Sequence, residues 1–177
     1  MQIDISNLSE QKQDIESKGS NLEGIVNEVV YKFSIDLDNL VKQIDEKIRL
    51  QELDSLTDSE LESYCLKLSS FMYFAATGQE SIGLRESIAQ AVNKEDYNNN
   101  YAIATGTMAD KKAEAELKTQ SSMLIEMVYD NAEKLMSAKL TYATHLLSSI
   151  KRVLNRRIEQ MKMNPATTKT SADRIEV

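Results

Sequence analysis

The chain has 177 residues, 41% of them hydrophobic and 28% charged, with a net charge of −7, one Cys, one His and no Trp. That composition makes one globular domain able to bury a core. A single Cys excludes a disulfide framework, a single His excludes a multi-histidine metal site, and no run of about 18 apolar residues exists to span a membrane. The opening Met1-Gln2-Ile3-Asp4-Ile5 lacks the basic and apolar regions of a secretory signal, so the expected place is the cytoplasm.

The charge is unevenly spread. Residues 1–60 carry −8, residues 61–147 carry −3, and residues 148–177 carry +4. An acidic front and a basic end imply an anionic partner at that end, or head-to-tail contact between subunits. The bland explanation is that cations favour the C-terminal turn of a helix.

Residues 1–20 are polar and acidic and read as a flexible N-terminal segment, with a short helix over Gln11–Ser17 at most. Gly19 and Gly24 read as the flanks of a loop. From Leu22 through Ile25, Val26, Val29, Val30, Phe33, Leu37, Leu40, Val41, Ile44 and Ile48 the apolar positions recur at threes and fours, which is a helical stripe. Leu56-Thr57-Asp58-Ser59-Glu60 signals a second helix start, with Thr57 or Asp58 as cap and Glu60 or Glu62 in the first turn. That helix reads through Leu61, Cys65, Leu68, Phe71, Met72 and Ala75 to a glycine stop at Gly78. Ser81 or Gly83 then opens a third helix with Leu84, Ile88, Ala91 and Val92, ending before Lys94. Asn98-Asn99-Asn100 reads as a loop or as part of a continuing helix.

From Thr107 to Met163 there is no Gly or Pro over 57 positions. One unbroken helix of that length would measure about 85 Å; a break near Ser121-Ser122 is the alternative. Met136, Leu140, Ala143, Leu147, Ile150, Leu154, Ile158 and Met161 form one apolar stripe, and Leu124, Val128, Ala132, Leu135, Tyr142, Leu146 and Val153 a second beside it. Two stripes need cover on more than one side, which predicts a homo-oligomer with Leu140, Leu147, Ile150, Leu154 and Ile158 at the interface. The expected architecture is all-α: a single helical domain over residues 21–163 with one long C-terminal helix, followed by a disordered tail over 164–177.

No phosphate loop, dinucleotide fingerprint or nucleophile elbow is present. The lone His145 lacks an orienting acid and an oxyanion hole, and Cys65 lies on an apolar face as a buried, inert thiol. The chain therefore reads as non-enzymatic, without cofactor or metal. Three other groupings carry binding chemistry. Phe71-Met72-Tyr73-Phe74 covers every face of a turn, so at least one aromatic leaves the core, where Tyr73 or Phe74 can stack on a base or meet a neighbouring subunit. Thr105-Gly106-Thr107 opens a helix whose first turns hold Lys111 and Lys112, an arrangement that suits an anion, or is a plain cap by Thr107 or Asp110. Lys151, Arg152, Arg156, Arg157 and Lys162 crowd one helix end and can track a phosphate backbone or pair with an acidic subunit surface.

The order Tyr101…Gly106, Lys111-Lys112-Ala113-Glu114-Ala115-Glu116, Leu146-Leu147-Ser148-Ser149-Ile150-Lys151-Arg152 and Arg157-Ile158-Glu159-Gln160-Met161 resembles the UvsY family of tailed-phage recombination mediators over residues 97–163. The resemblance implies a small all-helical ring-forming protein that holds single-stranded DNA and helps load a RecA-like recombinase onto strands coated by single-strand-binding protein. It implies a phage protein working in the host cytoplasm. Two other functions fit the residues: an acidic inhibitor that occludes a nucleic-acid enzyme with Asp36, Asp38, Asp45 and Glu46, and a helical assembly protein without nucleic acid.

Overall fold

The computed structural model describes residues 5–50, 52 and 55–163, with side chains from Glu16 onward. Four helices follow one another: α1 over Ile5–Arg49, α2 over Asp58–Ile103, α3 over Met108–Lys118 and α4 over Gln120–Met163. Among the described residues there is no strand, so the fold is all-α.

Heptad spacing organises the packing. The buried apolar residues of α2 recur every seven positions: Leu61, Leu68, Ala75, Ile82 and Ala89. Those of α4 include Ala132, Met136, Ala143, Leu146 and Ile150, and those of α1 include Val26, Val30, Leu37, Leu40 and Ile44, separated by threes, fours and sevens. A 3.5-residue period keeps one seam of each helix facing its partners along the whole length. The three seams close on one another as a three-helix bundle, because α1, α2 and α4 all pack pairwise. Side-chain bonds set the directions. Asp58 with Arg157, Gln79 with Glu133 and Asn93 with Glu126 run antiparallel between α2 and α4. Asp38 with Lys139 and Asp45 with Tyr142 run parallel between α1 and α4.

The capping signal at the start of α2 is realised in full. Thr57 Oγ1 accepts from the Glu60 N–H at 3.3 Å, and the Glu60 carboxylate accepts from the Thr57 N–H at 2.7 Å.

The glycines do not divide the chain as expected. Gly19 and Gly24 lie inside α1, and Gly78 and Gly83 inside α2, so the segment expected to be flexible is helical from Ile5 and the two middle helices are one. Asn98, Asn99 and Asn100 likewise lie within α2. A helix-interior glycine costs about 0.8–1.0 kcal/mol relative to Ala. In α2 the buried seam continues on both sides of Gly78 and Gly83, and its burial outweighs that cost. Gly78 has a packing task instead. An ideal Cβ built there would lie 2.5 Å from Phe33 Cγ and 2.9 Å from Phe33 Cδ1, closer still to Phe33 Cβ. The missing side chain is what lets α1 and α2 meet.

The long Gly-free stretch is broken, at Thr119, two residues before the expected place. Thr119 is buried, and its hydroxyl donates to the carbonyls of Ala115 at 2.8 Å and Glu116 at 3.3 Å. The break itself is in the backbone, where Thr119 takes φ −97° and ψ 5° as the C-cap of α3. The last helix is then 44 residues long, beside 45 in α1 and 46 in α2, so it is one of three long helices. The tail over 164–177 lies outside the described residues.

The middle of both apolar stripes of α4 finds cover inside one chain, while Leu124, Tyr142, Ile158 and Met161 are exposed. Ile150 is buried, and Leu140, Leu147 and Leu154 pack against the chain's own core; of the expected interface only Ile158 is exposed. α1 and α2 flank α4 on two sides and supply that cover.

Candidate nucleic-acid interface

The basic end of α4 divides into two kinds of cation. Arg157 stands one heptad beyond Met136, Ala143 and Ile150, so it occupies the core seam. Its guanidinium donates to the Leu56 carbonyl at 2.7 Å and to Asp58 at 2.9 Å, and its side chain is 19% exposed. It closes the bundle against the start of α2 and is not on the solvent face. Lys151, Arg152, Arg156 and Lys162 are exposed. Lys151 is close enough to Cys65 to pull its thiol pKa down, but burial dominates and pushes it up, which keeps the half-buried thiol protonated and unreactive.

At the start of α3, Gly106 adopts φ 107°, a left-handed conformation that only glycine takes without strain. The turn delivers Thr107 as cap. Thr107 Oγ1 accepts from the Asp110 N–H at 3.3 Å, and the Asp110 carboxylate accepts from the Thr107 N–H at 3.0 Å. The Thr107 hydroxyl, which donates to the Asp110 carboxylate at 2.7 Å, and the Thr107 N–H hold that carboxyl below its ordinary pKa. A carboxylate therefore sits where the open helix start was expected to hold an anion. Lys112 is exposed and lies 3.7 Å from Glu116, and Lys111 is half-buried.

The two basic regions are far apart. Arg157 meets Asp58, whereas Lys112 shares a cavity with Tyr97, Asn98 and Tyr101. Thirty-nine residues of α2 separate Asp58 from Tyr97, or about 58 Å of helix axis. One chain does not bring Lys111 and Lys112 together with Arg152 and Arg156. Tyr73 and Phe74 do leave the core, at 71% and 62% exposure, with their rings edge to face at 5.9 Å. They lie on α2 between the two basic regions and touch neither.

Two features were missed from sequence. Tyr97 and Tyr101 stack with ring centroids 6.2 Å apart and an interplanar angle of 20°. With Asn98, Met108, Ala109 and Lys112 they line an open cavity of about 520 Å³. The signal was there, as aromatics at i and i+4 just before a lysine pair. The second is a polar layer inside the bundle. Lys139 replaces an apolar residue on the α4 seam and donates to Asp38 at 2.6 Å, and Asp38 accepts from the buried Ser34 hydroxyl at 2.7 Å.

Among the described residues no cluster of three or more His, Cys, Asp or Glu side chains is placed to hold a metal, and no helix is long and apolar enough to cross a membrane. His145 is exposed. Comparison with protein-family models, with curated proteins and with solved structures returned no match.

Proposed function

We propose that this chain is a non-enzymatic, homo-oligomeric mediator of DNA recombination that binds single-stranded DNA and helps a RecA-like recombinase displace single-strand-binding protein, working in the cytoplasm of a phage-infected cell. The observation that carries the reading is the cavity at the α2–α3 turn. A parallel aromatic pair, an amide and a lysine line one open space there. A stacking platform next to a backbone-tracking cation is what sequence-tolerant single-strand binding requires. The exposed Lys151, Arg152 and Arg156, about 58 Å along the rod, supply a second phosphate contact. The base-stacking role passes from Tyr73 and Phe74 to Tyr97 and Tyr101, and Arg157 leaves the set of phosphate contacts.

The inhibitor alternative loses support on the same grounds. Asp38 bonds Lys139 and Asp45 accepts from the Tyr142 hydroxyl, so two of its four carboxylates serve the bundle.

Fluorescence anisotropy with an unstructured oligonucleotide, across a salt series, tests the reading. Binding to Z phosphates gives a log–log slope of about −0.7Z. Arg152→Ala with Arg156→Ala should reduce that slope by about one to two units, and Tyr101→Ala should weaken binding with the slope unchanged. A parent chain that binds no oligonucleotide at low salt would refute the proposal.

A further inference from the structure

The middle of α2 is short of charge. From Ser63 to Leu84 the only charged side chains are Lys67 and Glu80, where a chain that is 28% charged would place about six in 22 positions. Charges return on both sides, at Asp58, Glu60 and Glu62 before this stretch and at Arg85 and Glu86 after it. Burial does not account for the shortage. The seam that α2 gives to the bundle runs through Leu61, Leu68, Ala75 and Ile82. On the opposite side of the helix a second stripe, Leu66, Ser70, Tyr73, Thr77, Glu80 and Leu84, alternates by fours and threes, and all six are exposed. Phe74 stands beside it.

Charge depletion with aromatic enrichment is the composition of a protein interface core, and a heptad stripe is the form in which one helix packs along another. The two charges in the stretch say which helix fits. Lys67 lies six residues before Tyr73 and Glu80 six residues after Phe74. Neither makes an ion pair among the described residues. The face is therefore complementary in sign to its own reversed copy.

We propose that two copies of the chain pair through this face, α2 against α2, antiparallel about a two-fold axis at the Tyr73–Phe74 step. That axis sets Lys67 across the seam from the partner's Glu80, and the same contact recurs by symmetry at the other end. It sets Ser70 opposite the partner's Thr77, two small side chains that let the helices approach on either side of the aromatic centre. A parallel pair would place lysine against lysine and glutamate against glutamate, so the charges select the antiparallel one. Leu66, Tyr73, Phe74 and Leu84 are between 62% and 74% exposed. At about 150–200 Å² for each of these side chains, they offer about 450 Å² per copy, or about 900 Å² over the pair. With the serine, threonine and charged stems added, the contact reaches the roughly 1,000 Å² at which specific interfaces begin. The inference rests on the homo-oligomeric part of the proposed function and gives it a surface. It also gives Tyr73 and Phe74 a task away from both basic regions.

Charge swapping in the full chain, followed by sedimentation equilibrium, tests it. Lys67→Glu sets like charges across the seam twice, and Glu80→Lys does the same with the opposite sign. Each should raise the dimer dissociation constant by about tenfold. The double variant Lys67→Glu/Glu80→Lys restores opposite signs and should return to the parent value. Tyr73→Ser with Phe74→Ser, at sites already exposed, should abolish the dimer while circular dichroism at 222 nm keeps the parent signal. A parent that stays monomeric overturns the proposal, as do single charge variants that associate like the parent or a double variant no better than the singles. Oligonucleotide anisotropy is measured on the same samples. DNA binding by a parent whose self-association ignores the charge variants overturns the α2 face alone, and rescue by the double variant with no DNA binding by the parent overturns the mediator reading alone.

Discussion

Replacing Gly78 by Ala should destabilise the protein, while the same change at Gly83 stabilises it. Both glycines lie in α2, so both substitutions gain about 0.8–1.0 kcal/mol of helix propensity. A Cβ at Gly83 meets nothing within 4 Å. At Gly78 it would fall 2.5 Å from Phe33 Cγ, inside van der Waals contact, and nearer still to Phe33 Cβ. Phe33 Cβ is fixed to the α1 backbone, so turning the ring gives no relief and the helices must part. Overpacking of this kind costs about 1–3 kcal/mol. The propensity gain cancels when the variants are compared with each other, leaving a difference of about 1–3 kcal/mol in favour of Gly83→Ala. In a chain of this size that is roughly 2–12 °C in midpoint temperature. Urea and thermal unfolding followed by circular dichroism at 222 nm measure both variants against the parent. If Gly78→Ala stabilises as much as Gly83→Ala, α1 does not cross α2 at Phe33 and the register of the bundle is wrong.

Arg157→Ala should cost about 1–3 kcal/mol in urea unfolding, because it strands Asp58 and the Leu56 carbonyl, whereas Arg152→Ala should stay within about 0.5 kcal/mol of the parent; equal effects would remove the distinction drawn between them. A double-mutant cycle on Asp38→Ala and Lys139→Ala should return a coupling of about 1 kcal/mol, reduced from the buried range because both side chains remain about a third exposed; zero coupling would show that the polar layer does not hold α1 to α4. Acid should destabilise the chain. Glu60 is held below its ordinary pKa by the Thr57 N–H and hydroxyl, and Asp110 by the Thr107 hydroxyl and N–H. Carboxyls depressed in the folded state contribute stability that is complete above their unfolded values of about 4 and is lost as pH falls through the folded ones. Thr57→Ala should flatten that acid limb in a stability-against-pH series; an unchanged limb would mean that the cap does not contribute to it.

The helical class of the chain and the start of α2 were legible in the residues, because both depend on neighbours within a turn or two. Apolar positions at threes and fours specify a helix wherever it packs, and Thr57 with Glu60 specifies a cap locally. The break in the last helical stretch was visible as a polar cluster, though the residue that makes it, Thr119, is buried and leaves the helical backbone two residues earlier. What the glycines do was not legible. A glycine permits a turn and equally permits a close helix crossing, and only the position of Phe33 decides which task Gly78 performs.

The same division separates the cations. Lys151, Arg152, Arg156 and Arg157 are alike in composition and neighbours, and a basic cluster can be read from either. Only the seam tells them apart: Arg157 falls on the heptad line of Ile150 and is drawn inward by Asp58, a residue 99 positions away, while the others face solvent. Periodicity within a helix is a local property of the chain, so sequence alone determined that the chain is helical and where α2 begins. How far each helix runs and which helix covers each stripe depend on contacts between distant residues, and the tertiary structure alone decided that.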